Sequence, residues 1–359
     1  MHNWHRLPDF PWDSLTPFRA RAVEVPGGVV DLSVGTPVDP TPTLIQDALI
    51  AHANAPGYPT TAGLPELQRS IAGWLETELG AVPGAGILPT IGSKEAVATL
   101  PWQLGIGAGD VVVIPRIAYP TYAVGAVAAG AEVIATDTPE EVENASLMWL
   151  NSPGNPTGEV ISADRLREVI SLARSRNIPL LSDECYIELG WDAEPISALH
   201  PDANGGSLEG IVVLHSLSKR SNLAGYRFGH LAGDPQIIAT LLERRKHLGS
   251  MVPLPVQHAA AAAYADQVHV DEQRNRYARR REILKSALVA AGFTIESSVA
   301  GLYLWITRAE PCWDTVAWFA DRGIVVTPGD FYGVAGANHV RVALTATDAH
   351  VDLAAERLS

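Results

Sequence analysis

The chain has only two cysteines, Cys185 and Cys312, far apart in sequence. They can form neither a disulfide framework nor a Cys-x-x-Cys pair, which fits a reducing compartment. Cys185 itself reads as a small buried hydrophobe rather than a nucleophile. No stretch stays apolar over the roughly 20 residues that a membrane span needs. The opening segment, Met1 to Pro8, lacks the apolar run of a signal peptide, so a cytoplasmic protein is expected. Basic charge is also scarce: 26 Lys and Arg stand against 40 Asp and Glu, a formal net charge of -14, which excludes a broad basic surface for nucleic acid. Nor does a basic helix-turn-helix segment mark a DNA-reading regulator. Internal repeats, low-complexity tracts and Gly/Ser linkers are missing too, and no residue is assigned to a metal.

What is there is an ordinary globular composition, 47% hydrophobic and 18% charged over 359 residues, enough for one large domain with a smaller companion. The Pro-, Trp- and Arg-rich opening has no clear period and is expected to pack as an arm. From Thr43 onward helical patterns alternate with short apolar runs at 111–114, 132–134, 147–150, 179–182, 211–215 and 228–232. Such runs suit strands buried on both faces of a mostly parallel sheet, with helices at 64–79, 94–104, 163–176 and 236–247. A long helical pattern from Pro253 and Pro255 to about 291 is heavily charged between Asp271 and Lys285, and residues 293–359 read as a second, smaller α/β layer.

His215-Ser216-Leu217-Ser218-Lys219 follows the run 211–214 at once, so Lys219 is expected just past the C-terminal end of a buried strand, where open α/β sheets place ligands. Eight residues on, Asn222-Leu-Ala-Gly-Tyr-Arg227-Phe-Gly229 brings an arginine. Ser-Leu-Ser-Lys followed by Asn-Leu-Ala-Gly-Tyr-Arg-Phe-Gly resembles the cofactor-lysine segment of the fold type I, class I/II aminotransferases. That resemblance implies pyridoxal 5'-phosphate in a Schiff base with Lys219, its phosphate held by Ser216, Ser218 and Arg227. The chemistry asks for the same set, since a lysine amine attacks an aldehyde only when neutral, and burial or a nearby cation supplies that form.

Further segments agree with this family in order along the chain. Asp183-Glu-Cys-Tyr186 would put Asp183 against the pyridine nitrogen, favouring the protonated, electron-withdrawing ring, with Tyr186 donating to the ring 3'-oxygen. Asn151-Ser-Pro-Gly-Asn155-Pro-Thr-Gly158 departs slightly from the family's Asn-Pro opening and assigns Asn155 to the same oxygen. Gly92-Ser93-Lys94-Glu95 opens a helix, an anion site by its backbone amides alone; Ser93 would hold phosphate, and Lys94 is a further candidate. Tyr119 would stack on the ring. Tyr58 resembles the tyrosine that reaches a neighbouring subunit's phosphate, which implies a homodimer. Arg341, in an alternating strand, would clamp the substrate α-carboxylate, and Gly35 would let backbone approach it.

The resemblance implies a large domain, residues 37–265, with a mostly parallel seven-stranded sheet between helices. The arm 1–36 would join a smaller α/β domain, residues 266–359. It further implies ping-pong transfer between an amino acid and a 2-oxo acid, with Lys219 as base and then acid. Pro8-Asp-Phe-Pro-Trp12 and the compact length look like the N-succinyldiaminopimelate aminotransferases of the lysine and cell-wall pathway. Distal carboxylates would then need cations, and Lys94, Arg19, Arg21 and Arg116 are available. Transfer from aspartate, alanine or an aromatic amino acid remains open, as does a C–S lyase on the same fold.

Overall fold

The computed structural model describes residues 7–359, so residues 1–6 of the expected arm lie outside it. After a short strand in the arm, β1 (Val30–Asp31), come β2 (Gly86–Thr90), β3 (Val111–Ile114), β4 (Glu132–Ala135), β5 (Ala145–Asn151), β6 (Leu180–Asp183), β7 (Ile211–Ser216) and β8 (Gly229–Gly233). These last seven form one α/β sheet in the order β2-β8-β7-β6-β5-β3-β4, in which β8 is antiparallel to both neighbours and every other pairing is parallel. The apolar runs explain the central position of β3 and β5 to β7. Val113, Met148, Leu180 and Val213 enter the core on one face, while Val112, Leu147, Leu181 and Val212 enter the core on the other. Successive residues of a strand point to opposite faces, so only a continuous apolar run feeds both cores. Each such side chain contributes about 1.5–3 kcal/mol on burial.

Helices cover both faces. Ser162 caps the helix Ala163–Ser175 by accepting the Arg165 backbone N–H at 3.2 Å. The long helical pattern beyond Pro253 is two helices, Leu254–Tyr264 and Val268–Ala290. The break comes where Asp266 accepts the His269 N–H at 3.0 Å and so starts a new first turn. The charged middle of the second helix is only partly a solvated face. Arg280 is 2% exposed and holds both oxygens of Asp39, at 2.6 and 2.7 Å, and one of Asp348 at 2.8 Å. That arginine ties the chain before the large sheet to the chain after it.

The C-terminal part adds β9 (Thr294–Glu296), β10 (Tyr303–Thr307), β11 (Ile324–Val325), β12 (Thr327–Pro328) and β13 (His339–Ala343). An antiparallel sheet runs β12-β13-β10-β9, and β11 pairs in parallel with β1 of the arm. Leu15, Val30 and Leu32 of the arm pack in one core with Leu304 and Val342. Among the described residues no helix is long and apolar enough to cross a membrane.

Candidate active site

Three adjacent strands of the large sheet end side by side: Asn151 closing β5 is in register with Asp183 closing β6, and β7 runs two residues past Leu214, the partner of Asp183, to Ser216. There the chain leaves the ladder and the side chains are free to converge. A cavity of about 650 Å³ opens above them, and every candidate for the cofactor and the α-carboxylate read from the sequence lines it except Tyr58. Tyr58 lies 95% exposed on the surface. Of the distal-carboxylate candidates, Lys94 and Arg19 line the cavity. Arg21 is engaged by Asp321, and Arg116 is exposed and paired with Asp137 at 3.1 Å.

Lys219 sits in the helical turn Leu217–Arg220 that follows β7 directly, and its Nζ donates to the Gly35 carbonyl. Burial pushes its ammonium below the ordinary lysine value, and the Arg341 and Arg227 charges add to this against Tyr303. The neutral amine is therefore within reach. Asp183 is buried and accepts the Tyr122 hydroxyl at 2.8 Å and the Cys185 backbone N–H at 3.2 Å. Burial raises its carboxyl above the ordinary value despite those bonds. Burial also pushes the Cys185 thiol well up, so it stays protonated.

On one side of Lys219 lies an anion cradle. Ser216 and Ser218 hydroxyls are 3.0 Å apart, and the helix Ser93–Gln103 presents its first N–H groups. Arg227 reaches the same point from a left-handed backbone at φ 56°. A Cβ on Gly92, itself at φ 78°, would lie 2.3 Å from the Arg227 guanidinium, so only glycine lets the two meet. Two hydroxyls, a helix N-terminus and a guanidinium suit a phosphate monoester. Lys94 stands beside them with Nζ 5.2 Å above the Phe10 ring, its ammonium lowered by burial and then by Arg227. Tyr119 lies half-buried and edge-on to Tyr122 at 5.8 Å, its phenol pushed up to about 12 by burial.

On the other side, Arg341 projects inward from β13 and is 3% exposed. It donates to the Asn155 Oδ1 at 2.9 Å and to the Ser33 carbonyl at 2.6 Å, while its Nε has no partner among the described residues. Asn155 is fixed in turn, since its backbone N–H donates to the Asn151 side chain at 2.8 Å. An unsatisfied buried guanidinium N–H invites a carboxylate. Arg341→Lys keeps the charge and loses the fork, so KM for an amino acid substrate is expected to rise about 10- to 100-fold, read from initial rates. Tyr122, Tyr303 and Ser33 were not singled out by any motif, although Tyr122 lies three residues from Tyr119.

The aminotransferase class I and II family matches residues 27–358. The chain belongs to that family. Similar proteins include a probable aminotransferase of Mycobacterium tuberculosis, 54% identical over 98% of this chain and 85% of its own length. The 4-dedimethylamino-4-oxo-anhydrotetracycline transaminase OxyQ of Streptomyces rimosus is 52% identical over 98% and 99%. An LL-diaminopimelate aminotransferase of Dehalococcoides mccartyi is 34% identical over 92% and 90%. Among solved structures, an aminotransferase of Neisseria meningitidis matches with a TM-score of 0.90 and 31% identity, covering 98% and 97%. A probable N-succinyldiaminopimelate aminotransferase of Thermus thermophilus matches at 0.87 and 28%, covering 97% and 99%. This aminotransferase thus acts on amino and oxo acids with pyridoxal 5'-phosphate, and the cradle and buried acid of the site fit that cofactor.

Proposed function

We propose that the chain moves the amino group of N-succinyl-LL-2,6-diaminopimelate to 2-oxoglutarate, reversibly and by ping-pong exchange, as a step of lysine and diaminopimelate biosynthesis. The observation that carries this reading is the spread of positive charge in the cavity. Arg341 is buried at its floor, while Arg19 and Lys94 are more exposed. A substrate with one carboxylate would use Arg341 alone; a further carboxylate would compete with Asp31, 2.5 Å from Arg19, for that guanidinium and would share Lys94 with the phosphate. N-succinyl-diaminopimelate carries another carboxylate at the far end of its pimelate chain and one on the succinyl group. The diaminopimelate enzymes among the similar proteins support the same substrate class.

Bound in the cavity, the cofactor supplies an electron sink for the substrate carbanion. In this reading Lys219 Nζ would take the proton from the substrate Cα and return it to the cofactor C4', across the intervening nitrogen. Asp183 keeps a proton on the ring nitrogen, Tyr186 and Asn155 donate to the ring oxygen, and Tyr119 covers the ring. Ser93, Lys94, Ser216, Ser218 and Arg227 hold the phosphate, while Gly35 and Arg341 hold the α-carboxylate. The exposed Tyr58 is free to reach the phosphate of a second copy, which makes the working unit a homodimer.

The test is a panel of amino donors with 2-oxoglutarate, read as glutamate formed. N-succinyl-diaminopimelate is expected to exceed aspartate, alanine and aromatic donors by about 100-fold in kcat/KM, and Arg19→Gln to narrow that gap. Release of pyruvate and ammonia without an oxo acid would instead indicate a lyase. A second reading, amination of a bulky cyclic ketone, is favoured by the 52% identity to OxyQ; a ketone of that class as best acceptor would displace the first.

A further inference from the structure

Tyr303 stands between two parts of the site. Its hydroxyl lies 3.0 Å from that of Tyr186, with the rings edge-on and their centroids 5.7 Å apart. The Arg341 guanidinium sits over its ring face, 4.0 Å from the centroid. Both phenols are buried, at 4% and 7% exposure, and among the described residues neither hydroxyl has another hydrogen-bond partner. A Cβ on Gly35 would come within 2.1 Å of the Tyr303 hydroxyl, so the bare glycine backbone is what makes room for it. Burial, and then Tyr303 itself, hold the Tyr186 proton well above the ordinary phenol range. Tyr186 therefore remains a phenol, with a single proton to give.

That single proton fixes the direction of the contact. If Tyr186 gives its proton to the cofactor ring oxygen, it can only accept from Tyr303. We infer that Tyr303 is a positioning residue whose hydroxyl donates to Tyr186, aiming the Tyr186 proton at the ring oxygen and strengthening that donation. The inference rests on the placement of Tyr186 proposed above. Hydrogen bonds in a chain polarise one another, most of all in a site shut off from water. The same side chain supports Arg341 with its ring face, so one residue joins the carboxylate clamp to the ring-oxygen donor.

The experiment is a pH titration of the visible absorbance of the holoenzyme. Weaker donation leaves the ring oxygen more basic, so the proton it shares with the nitrogen of the lysine–cofactor linkage is held to higher pH. Tyr303→Phe is expected to raise the midpoint by about half to one pH unit, the size of one net hydrogen bond. KM for the amino substrate should stay within about 2-fold, because the ring beneath Arg341 remains. Tyr186→Phe should raise the midpoint further, and the double variant should match Tyr186→Phe alone, since residues acting in series are not additive. Should Tyr303→Phe fold poorly, 3,5-difluorotyrosine at position 303 carries the test: it keeps the shape, donates more strongly and should lower the midpoint.

A midpoint unmoved in Tyr303→Phe but raised in Tyr186→Phe overturns the relay and leaves Tyr186 where it was proposed. Midpoints unmoved in both remove the placement of Tyr186 and the relay with it. A Tyr303→Phe shift that persists in full on the Tyr186→Phe background shows an independent action and also overturns the inference.

Discussion

Lys219→Ala is expected to lower kcat by about 10^4-fold or more, because in the proposed mechanism Lys219 is both the attacking amine and the proton carrier. The visible absorbance of the holoenzyme should disappear at the same time. Cofactor binding should weaken without vanishing, because Ser93 and Arg227 of the cradle come from other segments and the Ser216 and Ser218 hydroxyls are untouched by the change. Fold stability should change little, since the Lys219 side chain has a single partner, the Gly35 carbonyl, among the described residues. The readouts are absorbance, turnover, and the mass of the Lys219 peptide after borohydride reduction of the wild type. Full turnover in the variant, or the cofactor mass on another lysine, would end the assignment. The pH dependence follows from the site itself. The lysine lies below its ordinary value through burial and neighbouring cations, so cofactor attachment should proceed at lower pH than for a solvated lysine.

How much of this was legible depends on whether a residue's surroundings are local. Lys219, Asp183 and Asn155 each follow an apolar run that becomes a central strand, and the rule that ligands gather at carboxyl ends of parallel strands places them without tertiary information. Tyr303 had no such signal. It becomes a neighbour of Arg341 only because β10 pairs with β13, and a neighbour of Tyr186 only because the C-terminal unit folds over the large sheet. Ser33 meets Arg341 across 308 residues of chain. Among the strands, β2 escaped notice because Pro89 argues against a ladder position. The structure resolves the conflict by putting β2 at the sheet edge, where a missing N–H can face away from its neighbour. The single helix expected beyond Pro253 failed for a local reason too subtle for periodicity: the Asp266 carboxylate bonds the backbone three residues ahead and restarts the helix.

Asp183→Asn should act with opposite signs on the cofactor-free protein and the holoenzyme. In the cofactor-free protein the carboxyl is raised above the unfolded value by burial. A carboxyl raised in this way stabilises the fold fully only below its unfolded value near 3.9, and that stability is lost as pH climbs through the folded value. At pH 8 the wild type therefore carries a buried charge at a cost, and the neutral amide should melt at the same temperature or higher, the difference closing as pH falls toward 4. The swap is tolerated locally, because the amide oxygen still accepts the Cys185 N–H and the Tyr122 hydroxyl can turn to accept from the amide nitrogen. With the cofactor bound the balance reverses. In the proposed placement of Asp183 against the ring nitrogen, the amide would not hold a positive charge there, so affinity should fall about 10- to 100-fold and kcat by about 10^3-fold. Paired melting curves with and without cofactor across pH 4 to 8, together with single half-reaction rates, measure both signs. A variant less stable than wild type without cofactor, yet equally active with it, would mean that Asp183 supports the fold and does not face the ring.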